Sequence, residues 1–365
     1  MNMLTKEIAN AIVRETSIRL NRNVNIMDIR GEIIATRDES RLHTIHEGAV
    51  EVLSNGETLF IYPEQGETWK GSEPGINLPI VFRDNIIGVI GVTGDPDEME
   101  DIGELVKMTT ELMIDQEFIT SQLEWKQRTK EMVIDQLLKS SYSYKTIQQG
   151  LDMLKMELTP PFMAFVIHLD NLDIQKQELI QKIEQLFDNR HAIAGFISLN
   201  QLFIAVSKIE ETEALRKIDL LQKLFHKQHV TFRIAYSLAF HELNQFHQAY
   251  ADCELALKIS DPASEIISFS QIEVRALLYQ LDQTLRERFS KRTLKRLDET
   301  QAMTLKAFFA NDLNIQKTAD ALFLHRNTLL YRINNIASET GYNPRVFNDS
   351  LILQVALWIK EQNKS

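Results

Sequence analysis

Two groups of side chains in this 365-residue chain have types and spacings that suit chemistry. The first lies between Arg326 and Asn335. Leu329, Leu330, Ile333, Ile336 and Ala337 recur at helical spacing and form one apolar stripe. Arg326, Asn327, Thr328, Tyr331, Arg332, Asn334 and Asn335 are left for the other faces. Arg and Asn make paired hydrogen bonds to guanine and adenine edges, and Thr and Tyr reach phosphates or a thymine methyl. The bland alternative is a helical hairpin with a polar outer face. His325, just ahead of this helix, reads as a phosphate or turn contact, because no Cys/His cluster accompanies it to hold a metal. The second group is Arg41, His46 and the stretch Pro74-Gly75-Ile76-Asn77. A guanidinium grips a carboxylate through two N–H groups. A histidine at a helix start sits where backbone N–H groups and the helix dipole favour an anion. The Gly-containing turn adds further N–H groups and an amide. Surface arginines and helix-start histidines are common, so a structural role for both stands beside the anion reading.

The elements that position the first group can be read directly. Asn314 stands where an N-cap belongs, and Ile315, Ala319 and Leu322 share the face of the helix that follows. Ala319 is small enough to admit a second helix. Phe323-Leu324-His325 is a three-residue connection, the next helix begins near Arg326, and Gly341 ends it. This is the layout of a helix-turn-helix, whose second helix enters the major groove by its N-terminal end. A net charge of −11 argues against a nucleic-acid partner, but the charge is not uniform. Between Arg286 and Val346 eleven basic residues face six acidic ones, a local surplus of five, which suits DNA contacts confined to one unit.

Three blocks are expected. In the first, Leu4 to Leu20 has helical periodicity and Val24 to Asp28 with Glu32 to Thr36 reads as a hairpin through Arg30-Gly31. His46 to Leu53 is helical and Thr58 to Tyr62 β-like, and a Gly- and Pro-rich loop runs from Pro63 to Gly75. Ile76 to Phe82 and Ile86 to Thr93 form a second hairpin, with Arg83 at its tip. Asp97 to about Ser140 is a long charged amphipathic helix, a connecting element and candidate partner surface. The second block alternates strands (Phe162 to Leu169, Ala192 to Ile197, Leu202 to Ser207, Thr231 to Ser237) with helices (Ile174 to Phe187, Glu210 to Phe225, Glu242 to Lys258). The third, from about Ile272, is all helix. The fold class is therefore multidomain α+β: a small α/β sensor over 1–135 with its connecting helix, an α/β ferredoxin-like middle domain over 136–270, and an all-α helix-turn-helix domain over 271–365.

The single cysteine, Cys253, cannot close an internal disulfide and reads as a buried structural thiol. Lys6, Glu7, Arg14 and Glu15 break any signal-peptide core, and Arg83-Asp84 interrupts Ile76 to Val92, the best apolar stretch. A cytoplasmic protein without a membrane span is expected. Walker A, HExxH and nucleophile-elbow patterns are absent. Asp170 and Asp173 have the spacing of paired acids but read as solvated loop residues.

TADALFLHRNTLLYRI followed by NPRVFNDSLILQVALWI resembles the C-terminal helix-turn-helix of PucR-type regulators. RLHTIHEGA at Arg41 to Ala49, PGINLPI at Pro74 to Ile80 and IIGVIGVTGDP at Ile86 to Pro96 resemble the sugar-diacid recognition domain. Over essentially its whole length the chain is similar to sugar-diacid regulators of the CdaR type. His43 stands where that family more often has glycine. The resemblance implies a transcriptional activator that responds to sugar diacids or to the glycerate derived from them. Double-stranded DNA and a small carboxylate are the expected partners. Because one helix-turn-helix reads only a short half-site, a homodimer or larger homo-oligomer is expected, with the helix from Asp97 to about Ser140 and the middle domain as the available surfaces. No cofactor is expected. Arg41, His46, Gly75, Ile76 and Asn77 become the candidate effector site, and His325, Arg326, Asn327, Thr328, Tyr331 and Arg332 the candidate DNA face. The middle block resembles GGDEF nucleotide-cyclase domains, with its hairpin at GFISLNQLFIAV. Leu199-Asn200-Gln201-Leu202 supplies neither the glycines that admit a nucleotide nor paired metal-holding acids, so an enzyme is the weaker alternative. A signalling protein whose helical end meets another protein is the second.

Overall fold

Strand alternation sets how each sheet is covered. The computed structural model describes residues 4–65, 68–70, 72–170, 175–295 and 297–362, which divide between Arg128 and Thr129 into two units. Asp173, Ile174 and Arg296, the last of these one of the eleven basic residues between Arg286 and Val346, lie outside the described residues, as do Gly66 and Gly71 of the Pro63 to Gly75 loop.

In the first unit, helix α1 (Lys6–Leu20) is capped by Thr5, whose side chain accepts from the Ile8 N–H. Strands β1 (Val24–Met27), β2 (Ile33–Thr36), β3 (Leu59–Ile61), β4 (Gly75–Phe82) and β5 (Asn85–Thr93) form a sheet in the order β2-β1-β5-β4-β3. All its neighbours are antiparallel. Residues of one parity, including Val24, Ile26, Ile76, Leu78 and Ile90, pack beneath α1 and the first half of α3 (Pro96–Leu137) through Ile12, Val13, Val106 and Ile114. The other parity brings Met27, Ile33 and Val89 against Ala49 and Val52 of α2 (Glu47–Asn55). A sheet buried on both faces needs apolar residues at both parities, which is why β1 and β4 read as nearly continuous apolar runs.

The second unit repeats this logic. Its sheet joins β6 (Phe162–Asp170), β7 (Ala192–Phe196), β8 (Gln201–Ser207), β9 (Thr231–Tyr236) and β10 (Ile266–Ser268) in the order β10-β9-β6-β8-β7, with only β10 parallel to its neighbour among the described strands. Met163, Phe165 and Ile167 of β6 face α5 (Lys176–Phe187) and α6 (Glu211–Lys227). Phe162, Ala164 and Val166 face α7 (Phe246–Ile259), α8 (Phe269–Tyr279), α4 (Tyr144–Leu154) and the end of α3. Cys253 is buried against this face. Sequence reading did not anticipate α4 or the three-residue β10. Among the described residues five further helices follow: α9 (Gln283–Leu294), α10 (Glu299–Ala310), α11 (Ile315–Ala321), α12 (Arg326–Thr340) and α13 (Phe347–Gln362). The observed class is multidomain α+β, with an all-helical end, as the sequence predicts.

One local device in the first unit has a thermodynamic signature. His46 is the N-cap of α2: its Nδ1 accepts from the Ala49 N–H at 3.2 Å, and the residue is buried. Burial, and secondarily the Arg41 charge, lower its pKa from 6.5 to about 4. The folded chain holds the neutral ring, while the unfolded chain takes up a proton first as pH falls. The stability His46 contributes is therefore complete above about pH 6.5 and is lost as pH drops through about 4, a span worth about 3 kcal/mol. Urea titrations of the whole chain between pH 7 and 4 should show this loss. His46→Asn, which keeps an N-cap acceptor but cannot titrate, should flatten it. An equally steep fall in His46→Asn would assign the effect to other groups.

Candidate functional site

Gly91 sits in the middle of the first sheet, paired with Asn25 of β1 on one side and Asn77 of β4 on the other. All three lie on the sheet face that α2 covers. A Cβ on Gly91 would stand 2.8 Å from Asn77 Oδ1, so glycine is what leaves a notch there. Both amides are buried. Asn25 Oδ1 accepts from Thr36 Oγ1 at 2.5 Å, whereas Asn77 Oδ1 is buried with no donor among the described residues. His46, Glu73 and Thr93 line the same notch. Acceptance at His46 Nδ1 leaves the ring proton on Nε2. Ser72 Oγ stands 3.2 Å from that Nδ1 and accepts from the Gly48 N–H at 3.3 Å, tying the chain ahead of β4 to the start of α2. Arg41 ends a short 3-10 turn, Glu39–Arg41, that Asp38 caps. Its Nη1 lies 3.1 Å from Glu73 Oε2, and its side chain is 13% exposed. Thr93 Oγ1 donates to the same Glu73 oxygen at 3.2 Å.

The structure thus brings Arg41, His46, Gly75 and Asn77 together, and it corrects two details. Gly75, Ile76 and Asn77 are not a turn with spare N–H groups. They open β4 and are paired on both sides, to β3 and to β5. The apolar alternation of Ile76 to Phe82 extends back to Gly75, where a Cβ would meet the Val92 carbonyl oxygen at 2.2 Å. Ile76 also turns its side chain to the opposite face, into the core beneath α3, so it lines the notch through its backbone. His43 adopts φ +66, the left-handed region where glycine is easiest, and its Nδ1 pairs with Glu32 at 2.8 Å. Asn25 and Glu73 were missed. The signal for Asn25 was an amide within the otherwise apolar run Val24 to Met27; nothing local marks Glu73. A cation beside buried neutral amides and an imidazole N–H suits an anion that also carries hydroxyl groups, since a buried unpaired acceptor calls for a donor.

The second site lies in the C-terminal helices. Asn314 Oδ1 caps α11 by accepting from the Lys317 N–H at 3.0 Å, and His325 Nδ1 caps α12 by accepting from the Asn327 N–H at 3.2 Å. Gly341, at φ +80, ends α12. Ala319 of α11 packs with Phe308, Leu329 and Ile333, fixing α12 against its neighbours. This leaves His325, Arg326, Asn327, Thr328 and Tyr331 exposed along one edge. Arg332 is half-buried, its Nη1 donating to Thr304 Oγ1 of α10 at 3.5 Å, so part of its reach is spent within the domain. Asn334 accepts from Arg345. Phe323, in the expected connection, adopts φ +54 and is 97% exposed. At the β7–β8 hairpin the turn runs Ser198-Leu199-Asn200, with Lys176 Nζ donating to the Leu199 carbonyl at 2.7 Å. No helix among the described residues is long and apolar enough to cross a membrane.

Comparison with known proteins agrees with this layout. Residues 4–137 match the family model for sugar diacid recognition, residues 141–259 a GGDEF-like domain, and residues 301–359 the PucR C-terminal helix-turn-helix domain. The carbohydrate diacid regulator of Escherichia coli is 27% identical, covering 98% of each chain. An uncharacterized protein of Haemophilus influenzae is 30% identical, covering 96% of this chain and 97% of that one. A crystal structure of a regulator of polyketide synthase expression from Bifidobacterium adolescentis aligns with 15% identity and a TM-score of 0.34, covering 65% of this chain and 94% of that one. With a diacid-recognition domain, a GGDEF-like domain and a PucR-type helix-turn-helix in that order, the chain belongs to the carbohydrate diacid regulator family of ligand-sensing transcription regulators.

Proposed function

We propose that this chain is a cytoplasmic transcriptional activator whose effector is a small polyhydroxy carboxylate, a sugar diacid or a glycerate-type hydroxy acid. The observation that carries the reading is the placement of Arg41 beside a notch of buried neutral hydrogen-bonding groups, His46, Asn25 and Asn77. The guanidinium takes a carboxylate, and the amides and imidazole take hydroxyls. Sensing falls to residues 1–135. The middle domain, 136–270, has no catalytic role, because the turn at Ser198 to Asn200 carries no acidic pair for metal-assisted phosphoryl chemistry. Output falls to 271–365, where His325 and Thr328 hold phosphates and Arg326, Asn327 and Tyr331 read bases, with Arg332 at the edge of the contact. The polar first turn of α12 favours DNA over a protein partner for this face.

A second copy belongs to the same reading. Leu105, Met108, Leu112 and Ile119 of α3 are exposed and follow a 3-4-7 spacing, the seam of a coiled coil. One helix-turn-helix covers a short half-site, and dimers read two. We therefore assign this seam to a homodimer.

Each part has its measurement. Arg41→Ala should cost a charge-assisted pair, about 1.5–3 kcal/mol, or roughly ten- to a hundredfold in calorimetric affinity for glucarate, galactarate or glycerate. Unchanged affinity for the acid that binds the wild type places the pocket elsewhere. On an operator selected by the wild-type protein from random duplexes, Arg326→Ala or Asn327→Ala should weaken binding by about 1–3 kcal/mol, and binding should fall steeply with salt. A folded Arg326/Asn327/Arg332 triple-alanine variant that binds like wild type removes the DNA assignment. Light scattering at micromolar concentration should give a dimer that Leu112→Glu dissociates; monomer alone, with and without DNA, overturns the seam.

A further inference from the structure

The contact between Arg41 and Glu73 has a consequence for how the effector site works. Glu73 is the residue two before β4, and its side chain is 47% exposed at the rim of the notch. Its Oε2 lies 3.1 Å from Arg41 Nη1 and accepts from Thr93 Oγ1 at 3.2 Å. An effector carboxylate seated on Arg41 needs that same face of the guanidinium, and it carries the same charge as Glu73. The two carboxylates cannot share the position without placing like charges side by side. The segment holding Glu73 is anchored at both ends to elements of the sensor. Ser72 Oγ accepts from the Gly48 N–H at 3.3 Å at the start of α2. The Pro74 carbonyl accepts from the Gly94 N–H at 3.1 Å, two residues ahead of the first residue of α3. Further back in the chain, Tyr62 Oη donates to Asp97 Oδ1 in the first turn of α3 at 2.9 Å.

We propose that Glu73 is an internal competitor for the effector carboxylate: the ligand takes Arg41 by displacing Glu73, and the displaced Ser72-Glu73-Pro74 segment pulls on the Gly94 contact that holds the start of α3. The proposal rests on Arg41 being the carboxylate contact, and it adds what that binding does to the chain. It separates two jobs that a simple pocket would merge. Arg41 decides whether a carboxylate binds, and Glu73 decides how strongly it must bind before the segment moves. An acid with a weak hold on the notch, lacking the hydroxyls that Asn25, Asn77 and His46 would take, would be turned away by Glu73 even though it carries the right charge.

Glucarate is the probe, and the whole chain is the sample. Trp69 carries the reporter, since its carbonyl accepts from the Ser72 N–H at 3.1 Å and the other two tryptophans, Trp125 and Trp358, can be replaced by Phe. In that background Glu73→Gln, which keeps the side-chain shape but removes the charge, should bind glucarate roughly two- to fivefold more tightly, the range that a half-exposed ion pair supports. Its Trp69 emission without glucarate should already match what the Glu73 protein reaches only with glucarate. Glu73→Ala should behave alike, which guards against an effect peculiar to Gln. Equal or weaker glucarate affinity in both variants overturns the competitor role while leaving the site on Arg41 in place, as does an emission that moves only when glucarate is added. If glucarate, galactarate and glycerate all fail to bind both the Glu73 protein and its variants, the effector site itself falls, and the competitor role with it.

Discussion

The sensor depends on keeping one imidazole neutral in a buried place. His46 caps α2 through Nδ1 and lines the notch. Only the neutral ring with its proton on Nε2 can accept at Nδ1, and burial together with the Arg41 charge favours that neutral ring. A charged ring would lose the Ala49 N–H bond and stand beside a guanidinium. The arrangement also explains why the cation of the site is an arginine. A guanidinium offers a fork of N–H donors that an ammonium lacks, and Arg41 spends part of that fork on Glu73 at the rim of the notch, so an ion pair stands beside the neutral amides and the imidazole.

The neutral dipoles depend in turn on a missing side chain. Asn25 and Asn77 flank Gly91 in register across three strands, and any Cβ at 91 would press on Asn77 Oδ1. The sheet is otherwise covered on this face by Met27, Ile33, Val89, Ala49 and Val52, an apolar surround that raises the cost of leaving an amide oxygen unpaired. A polar notch framed by apolar packing favours ligands that satisfy specific hydrogen bonds over ligands that merely carry charge. The notch itself comes from strand register rather than from a loop.

The fold was largely legible in the sequence because its signals are local. Periodicity placed α1, α2, α3 and both hairpins of the first sheet, and Asn314 and Gly341 marked the ends of the helix-turn-helix through capping chemistry. Two kinds of information were not local. Whether Gly75 to Asn77 form a turn or a strand depends on two partner strands, β3 and β5, that flank them in space, and the Gly and Pro residues nearby read as loop. Glu73 is an ordinary surface acid until the fold lays it against Arg41, 32 positions earlier in the chain. Arg332 shows the same limit in the output domain: helical spacing puts it on the polar side of α12, but only the packing of α10 shows that Thr304 engages it. What the packing leaves exposed is accordingly the first turn of α12, Tyr331 and, in the turn ahead of it, Phe323.

Helix α3 shows how composition follows from a long element with different surroundings along its length. Near its start, Val106 and Ile114 are buried in the core of the first unit; near its end, Val133, Ile134 and Leu137 are buried in that of the second. Between them, residues 119–126 are all exposed, Ile119 and Leu123 included. A solvated stretch of helix gains nothing from large apolar side chains unless they are covered, and charged residues would hold it as well through local pairs such as Arg128 with Glu124 at 3.7 Å. Apolar residues at coiled-coil spacing on an otherwise charged helix therefore point to a helical partner, and a second copy of α3 presents the same seam in return. Pairing of that kind would stiffen the one segment of α3 that neither core holds, and the same helix begins two residues after the Gly94 amide that Pro74 grips. On the proposed reading, a ligand that favours one setting of the start of α3 and a partner helix on its seam act on the same element.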